Sequence, residues 1–375
     1  MPKYFYSLGH VPQLGLNEYL VLSTNSSFLV NENYLLSDTL VDITQTGSLI
    51  YSGEILGVFD YSDKNKAELP SLVGNLLKQA DVSKVGLALP MGYNPRGWLQ
   101  IFKSLGYKKI NIITGEITFG HFKQTKEWFQ LFKFKDKMYF GKITARFDQQ
   151  LWRVLDDKVL KGDMSRGLIN LKLARSMANL VPETAIWDPF CGVNRNLVAA
   201  IDLKENFFAS DIDAACLEEA KSNFEAAHEF LTKNTTQVLG HLKETFECDA
   251  SNFKDFRRFQ GLDIGVVTEG FLGTNYTSKI PDSVAQLEFE KIFSIWLVFL
   301  KNTEKSNIRN MVFCLPFYPE LRNLSIKMLQ EFIDKIAASN WQIEPFESIN
   351  SHKTNYILYK RDKSIVAHTL FRLTK

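Results

Sequence analysis

The stretch Trp187-Asp188-Pro189-Phe190-Cys191-Gly192 joins the end of an apolar strand to a turn of small residues. The strand begins at Ala185, and the helical segment Leu197-Val198-Ala199-Ala200 follows the turn. A strand, a small-residue turn and a helix in this order bring backbone N–H groups close to a ligand. A tight structural turn would explain a single glycine equally well, so the interpretation depends on the rest of the chain.

The sequence around this stretch alternates short apolar strands with amphipathic helices, which predicts an α/β fold with a mainly parallel sheet. The predicted strands are Ala185–Trp187, Phe207–Ser210, a strand that closes at Glu247-Cys248-Asp249, Asp263–Val267, Asn310–Leu315, Trp341–Ser348, Asn355–Lys360 and Val366–Leu373. The predicted helices are Ala214–Phe230, Pro281–Leu300 and Glu320–Ala338.

Acidic residues stand at the ends of successive predicted strands. They are Asp188, Asp211 with Asp213, Asp249 and Glu269. Ligands of open α/β sheets bind at the carboxyl ends of the strands, where these acids could accept from ribose hydroxyls and an adenine amine. The alternative is that each acid caps the following helix. Five acids in order favour a site for a nucleoside-bearing cofactor.

Size and composition predict a soluble protein of two or three domains. The 375 residues are 45% hydrophobic and 23% charged, and the net charge of +2 identifies no partner. Four cysteines without CxxC spacing and six dispersed histidines predict neither a disulfide framework nor a metal site. The longest apolar run, Ile295–Leu300, is far shorter than the ~20 residues that span a bilayer. A cytoplasmic protein without a membrane partner is therefore expected.

The N-terminal half has a different pattern. Tyr4–Leu8 is a predicted strand and Leu14–Leu20 a predicted helix. Helix, strand, helix and strand then follow at Leu69–Gln79, Val85–Leu89, Pro95–Leu105 and Ile110–Thr114. This order predicts a small α/β or α+β module over residues 1–148, a linker over 149–168 and the sheet domain over 169–375.

The later part of this module is rich in lysines interleaved with aromatic rings. The lysines are Lys103, Lys108, Lys109, Lys123, Lys126, Lys133, Lys135, Lys137 and Lys142, and the rings are Phe119, Phe122, Trp128, Phe129, Phe132, Phe134, Tyr139 and Phe140. Lysines can neutralise phosphates, and exposed rings can stack on unpaired bases, so the region is a candidate nucleic-acid surface. The helical spacing of Trp128, Phe129 and Phe132 favours the alternative that these rings belong to the core.

Short motifs resemble those of the amino-methyltransferases. Asp188–Gly192 resembles their motif I, usually written DPFCGSGT, Asp211-Ile212-Asp213 their motif II acid, and Asp249-Ala250 their motif III. The segment Gly167–Leu180 is similar to the GmlpPKLArimvNLa segment of the THUMP-associated tRNA guanosine-2-N methyltransferases. Within it, the most specific matches are Lys172 to Arg175 and Asn179-Leu180.

Two N-terminal segments resemble the same family, so the match covers most of the chain in order. Tyr6–Leu22 is similar to its opening segment, and Tyr139–Thr144 to its lGkT turn. The resemblance implies a Rossmann-like class I methyltransferase domain with an antiparallel final strand. A smaller, THUMP-like RNA-binding module would precede it.

The resemblance also implies S-adenosylmethionine as the cofactor and RNA, in particular tRNA, as the partner. The activity would be methyl transfer to an exocyclic amine of guanosine. The implied cofactor-binding residues are Asp188, Phe190, Gly192, Asp211, Ile212, Asp249 and Ala250. Asp211 would hold the ribose hydroxyls with Ile212 against the adenine, and Asp249 would accept from the adenine amine.

The loop after Gly192 departs from motif I. The segment Val193-Asn194-Arg195-Asn196 stands where the family has a second glycine and a threonine. This bulkier loop could reach the methionine carboxylate, with Asn194 or Arg195 as hydrogen-bond donors, or it could equally narrow the pocket.

A second departure concerns the acceptor motif, [DN]PP[YF] in the family. This chain has Thr268-Glu269-Gly270-Phe271-Leu272-Gly273 instead. Glu269 keeps an acceptor for the amine, one methylene longer, and Phe271 keeps a ring that can stack on a base. These two are the predicted catalytic residues of an altered but functioning site.

Two other functions remain open. One is a DNA amino-methyltransferase, because the chemistry of the acceptor motif is shared. The other is an RNA-binding or partner protein that keeps the fold without catalysis, and a protein partner subunit is compatible with either activity.

Overall fold

The computed structural model describes residues 2–23, 27–62, 66–79, 85–107, 109–125, 127–162, 168–276, 278–361 and 364–375. The chain folds into two compact units. The first unit contains Met1–Gly9, Ser23–Thr44 and Leu49–Gln149, and the second contains His10–Leu22, Gln45–Ser48 and Gln150–Lys375. Two short segments from within residues 1–148 thus belong to the second unit, so the units are not contiguous in sequence.

The α-helices follow the chain order. They are α1 (Pro12–Leu22), α2 (Leu69–Gln79), α3 (Pro95–Ser104), α4 (Phe119–Gln124), α5 (Gln149–Val154), α6 (Leu171–Asn179), α7 (Arg195–Ala199), α8 (Ala214–Asn234), α9 (Asp282–Thr303) and α10 (Arg322–Ile336). The expected linker therefore begins with α5, which continues into a π-helical turn at Leu155–Val159. None of the helices in the described ranges is both long and apolar enough to cross a membrane.

The first unit is built on one mixed sheet. Its strands are β1 (Tyr4–Leu8), β2 (Phe28–Val30), β3 (Tyr34–Ser37), β4 (Leu49–Asp60), β5 (Val85–Leu89), β6 (Ile110–Thr114), β7 (Glu127–Phe134) and β8 (Lys137–Arg146). They lie in the order β2-β3-β1-β4-β8-β7-β5-β6. The pairs of β5 with β6 and β7 are parallel, and the remaining described pairs are antiparallel.

Both faces of β7 are buried. Phe129 and Leu131 pack with α2 and α3, whereas Trp128 and Phe132 lie in a core on the opposite face. A strand covered on both faces carries apolar residues at consecutive positions, as in Trp128-Phe129 and Leu131-Phe132, and this hides its period of two. The core assignment of Trp128, Phe129 and Phe132 is confirmed, but their helical spacing is misleading. The turn expected at Tyr139–Thr144 is likewise wrong, because this segment lies inside β8.

The sheet of the second unit confirms the predicted α/β fold. Its strands are β9 (Ala185–Asp188), β10 (Asn206–Asp211), β11 (His241–Glu247), β12 (Ile264–Thr268), β13 (Asn310–Phe317), β14 (Gln342–Ile343), β17 (Ile357–Tyr359) and β18 (Ala367–Thr374), while β15 (Phe346–Glu347) and β16 (Lys353–Thr354) form a separate pair. Strands β9 to β13 are parallel, and the final strand β18 is antiparallel to β13.

The strand that was expected to close at Glu247-Cys248-Asp249 is β11, which ends at Glu247. The single strand expected over Trp341–Ser348 is two short strands, β14 and β15.

A buried carboxylate explains why α1 belongs to the second unit. Glu18 is fully buried. Its Oε1 accepts from Gly47 N at 2.7 Å and Asn179 Nδ2 at 2.5 Å, and its Oε2 accepts from Ser48 N at 2.9 Å and Ser176 Oγ at 3.2 Å. A buried charge requires such saturation, because an unpaired carboxylate would strongly destabilise the fold. The segment similar to the tRNA methyltransferases is α6, which supplies two of these donors.

Candidate functional site

The candidate site lies where the strand order of the second sheet reverses. From β9 the chain proceeds to β10 and β11 on one side, and then to β12 and β13 on the other. The carboxyl ends of β9 and β12 flank this reversal, which is where open α/β sheets bind ligands. Asp188 ends β9, and Glu269 directly follows β12.

Asp188 holds the loop after β9 through hydrogen bonds to its backbone and to Asn196. Its side chain is fully buried, Oδ1 accepts from Phe190 N at 3.1 Å and Oδ2 accepts from Asn196 Nδ2 at 2.8 Å. Burial raises the pKa of Asp188 from 3.8 to about 7, although hydrogen bonds from Thr268, Asn196 and Phe190 act in the opposite direction. The contact with Thr268 links this loop to the one that carries Glu269.

The raised pKa of Asp188 predicts a pH-dependent stability. Between pH 4 and 7 the folded protein holds a proton at Asp188 that the unfolded chain has lost, so the stability from this group falls as pH rises. An asparagine cannot titrate, and Asn196 Oδ1, which has no hydrogen-bond partner among the described residues, can accept its new N–H group. From pH 4 to pH 8, Asp188→Asn should gain about 4 kcal/mol in free energy of unfolding relative to the wild type. Urea denaturation across this range measures the gain, and parallel curves for the two proteins would contradict it.

Gly192 is open toward the carboxyl edge of the sheet. Its φ of +49° lies in the left-handed region, and a Cβ atom built there would meet nothing within 4 Å. Its N–H group donates to Asp211 Oδ2 at 2.9 Å. The loop after β9 and the end of β10 are thus joined directly, with room beside them.

Asn194 and Arg195 do not have the expected role. Arg195 Nε donates to Ile169 O at 3.0 Å, and its guanidinium forms an ion pair with Asp156. Asn194 Nδ2 donates to Ala220 O at 3.3 Å. Because these donors are used within the protein, they do not replace the missing glycine and threonine as ligand contacts.

Asp211 and Ile212 face the same edge. Asp211 Oδ1 accepts from Asp213 N at 3.0 Å, and Oδ2 accepts from Gly192 N. The side chain of Ile212 is 67% exposed. Asp213 instead caps α8, where its Oδ1 accepts from Ala215 N at 3.0 Å.

The contacts of Asp249 match the capping alternative. Oδ1 accepts from Ser251 N at 2.9 Å and Ser251 Oγ at 2.7 Å, and Oδ2 accepts from Asn252 Nδ2 at 2.8 Å. These bonds cap the short 3₁₀ helix Ala250–Asn252. Ala250 is buried in the core beside α9.

Glu269 is paired with a histidine that the sequence did not single out. Glu269 Oε1 lies 2.6 Å from His368 Nε2, and both side chains are mostly buried. His368 stands on β18, 99 positions along the chain. No motif spacing relates the two residues, and only the pairing of β18 with β13 brings them together.

The rest of the acceptor loop packs against α9. Gly270 has φ +72°, and a Cβ there would lie 2.6 Å from Trp296 Cζ2, so another residue would not fit. Phe271 is half-buried, with Lys291 Nζ 5.0 Å from its ring centroid. Phe190 packs on the same tryptophan, with ring centroids 5.3 Å apart. The predicted catalytic residues therefore lie on a loop held by the core and not on a loose surface segment.

Most rings interleaved with the lysines of the first unit are buried. The buried rings are Trp128, Phe129, Phe132, Phe134, Tyr139 and Phe140. The exposed lysines of the same region are Lys103, Lys109, Lys123, Lys133, Lys135 and Lys137. Lys108, Lys126 and the side chain of Phe119 lie outside the described residues, as does Gly167. The interpretation of the buried rings as a stacking surface is wrong.

Comparisons with known proteins support the fold. No protein-family model matches the sequence, and no curated protein matches it either. A solved structure described as a possible methylase from Clostridium difficile 630 is 11% identical with a TM-score of 0.51, covering 100% of this chain and 98% of that one. A predicted N6-adenine-specific DNA methylase from Listeria monocytogenes is 12% identical with a TM-score of 0.46, covering 99% of this chain and 96% of that one. The similarity to the first of these structures covers the whole chain, so the α/β fold is shared over its full length.

Proposed function

We propose that this chain is an S-adenosylmethionine-dependent methyltransferase that modifies an exocyclic amine of a base in RNA, with guanosine in tRNA as the acceptor. The observation that carries the proposal is the direct bond between Gly192 and Asp211 at the strand-order reversal, next to the loop of Glu269. This edge of the sheet thus brings together a glycine turn, an acid at the end of β10 (Asp211) and a second acid on the other side of the strand-order reversal (Glu269).

The residues at this edge suit the cofactor. Each oxygen of a carboxylate can accept about two hydrogen bonds, so Asp211 keeps acceptor capacity for two ribose hydroxyls beyond its two backbone donors. Ile212 offers an exposed apolar surface for the adenine ring. The space at Gly192 lets the ligand approach the backbone closely. Asp249 fits this scheme less well, because its carboxylate already accepts from three donors.

Bound S-adenosylmethionine would supply an electrophilic methyl group, whose transfer forms an N–C bond, leaves the S–C electron pair on sulfur and releases one proton from the amine. Glu269 would accept an N–H of that amine and so direct the nitrogen lone pair toward the methyl carbon. Phe271, which follows on the same loop, would hold the base. Orientation of this kind can contribute several kcal/mol to catalysis.

RNA as the partner is supported by the exposed lysines of the first unit together with the family resemblance. Lysine side chains neutralise phosphates without reading sequence, so they would hold the RNA while the second unit reads the base. Because the rings around them are buried, binding by this region is expected to depend strongly on salt and little on base stacking.

Labelled methyl transfer tests the proposal. The protein should transfer label from S-adenosylmethionine to bulk tRNA and not to duplex DNA, and mass spectrometry of the nucleosides should find methylated guanosine. Transfer to DNA alone would instead favour a DNA amino-methyltransferase. If neither cofactor binding nor transfer occurs, the chain is a non-catalytic protein of this fold.

A further inference from the structure

His368 lies on β18 and contacts Glu269 on the loop after β12. Its Nε2 is 2.6 Å from Glu269 Oε1, and the two side chains are only 11% and 17% exposed. With Glu269 ionised, its carboxylate can only accept, and the imidazole Nε2 is then the donor. Hydrogen bonds to an ionised carboxylate are stronger than those between neutral groups.

The imidazole stands on a rigid platform. β18 pairs with β13 along its whole length, which sets His368 opposite Pro316. On its other side β18 pairs with β17, where Tyr359 is opposite His368 and the two ring centroids are 6.3 Å apart. A histidine held between paired strands loses little further freedom when it makes a hydrogen bond, so it can orient a side chain that has several rotatable bonds.

Glu269 needs such a partner. It leaves β12 on a loop whose next residue, Gly270, is in the left-handed region. A glutamate side chain has three rotatable bonds, one more than an aspartate, and each adds orientations in which the carboxylate misses its target. Thr268 and Gly270 fix the backbone through the bond from Gly270 N to Thr268 Oγ1, but they do not restrain the carboxylate itself.

We propose that His368 is the positioning residue for Glu269. Its Nε2–H group holds Oε1 and thereby leaves Oε2 directed at the amine that is to be methylated. This inference rests on the proposed function, because it assigns the amine to Oε2. As the nitrogen forms its bond to the methyl carbon, its surplus proton passes to Oε2 and from there to solvent, and the His368 bond to Oε1 persists throughout.

Two substitutions separate positioning from a structural role. His368→Gln keeps an N–H donor at a similar reach, whereas His368→Leu fills the space without one. We expect His368→Leu to lower kcat by about 100-fold with an unchanged Kd for S-adenosylmethionine, and His368→Gln to recover most of that loss. Cofactor affinity by calorimetry and the thermal midpoint of each variant are the controls for folding.

A measurement on the ligand-free protein tests the pair without any turnover. Long-range ¹H–¹⁵N spectra distinguish the Nε2–H form of each of the six histidines, and the signal absent from His368→Gln is that of His368. In the wild type the Nε2–H proton should be shifted downfield and exchange slowly because it is bonded to Glu269, and both properties should be lost in Glu269→Leu.

The outcomes are distinct. Wild-type kcat in His368→Leu, or no recovery in His368→Gln, overturns the positioning role while the proposed function stands. If the wild-type protein methylates no nucleic acid, the proposed function fails together with the assignment of the amine to Oε2, and the imidazole spectrum decides only whether His368 holds Oε1. An Nε2–H signal that depends on Glu269 then supports the pair, and a signal indifferent to Glu269→Leu overturns it.

Discussion

Replacing Asp211 with alanine is expected to abolish S-adenosylmethionine binding. The carboxylate has acceptor capacity left for two ribose hydroxyls, and hydrogen bonds to a charged group contribute about 1.5–3 kcal/mol each. Loss of both would weaken binding by at least about 100-fold, because every 1.4 kcal/mol corresponds to a factor of ten. The substitution also releases Gly192 N, which Asp211 Oδ2 now holds at 2.9 Å, so the loop after β9 loses its link to β10. Isothermal calorimetry with S-adenosylmethionine measures the affinity directly.

Asp213 provides a matched control two positions away. Its carboxylate caps α8 through Ala215 N, so Asp213→Ala should cost about 1 kcal/mol of stability and leave the affinity nearly unchanged. Under the proposed function Asp211 binds the cofactor and Asp213 caps α8, two roles that the sequence alone left as alternatives for each. Unchanged affinity in Asp211→Ala, with the thermal midpoint preserved, would remove Asp211 from the cofactor site.

The sequence predicted the parts of the site that depend on local order along the chain. Asp188, Asp211 and Glu269 each follow a short apolar strand, and parallel strands deliver such residues to one edge. The strand boundaries at Ala185 and Asn310 were predicted to the residue because these central strands are covered on both faces and apolar throughout. For the edge strand β11 only the end was predicted, because charged and polar residues interrupt the apolar pattern before it.

Contacts between residues that are far apart in the sequence were not predicted. His368 reaches Glu269 only because β18 returns antiparallel beside β13, and no spacing over 99 positions encodes that return. Arg195 was expected at the ligand, yet burial forces its charge to find a partner, and Asp156 supplies one. Glu18 joins a segment from the first part of the chain to α6 for the same reason. In each case, the requirement to pair a buried polar group decided a contact that local patterns do not record.

Replacing Glu269 tests catalysis apart from cofactor binding. Glu269→Gln keeps the side-chain length, and its amide oxygen can still accept from His368 Nε2, but it removes the negative charge that would accept the amine N–H and then the proton. We expect kcat to fall by about 100- to 1,000-fold with an unchanged Kd for S-adenosylmethionine, since a preorganised charge at the reacting group is commonly worth that much.

Glu320→Gln is the control for the loss of one negative charge. Glu320 is exposed and pairs with Lys279 at the surface, so its replacement should leave kcat within about twofold.

Single-turnover transfer of labelled methyl to tRNA isolates the chemical step from product release. A variant Glu269→Gln that transfers at the wild-type rate would show that the acceptor loop does not direct the amine through this carboxylate. The backbone carbonyls after β12, or Phe271 stacking alone, would then have to orient the base. A loss confined to transfer would place Glu269 at the reacting amine and leave Asp211 with the cofactor, on opposite sides of the strand-order reversal.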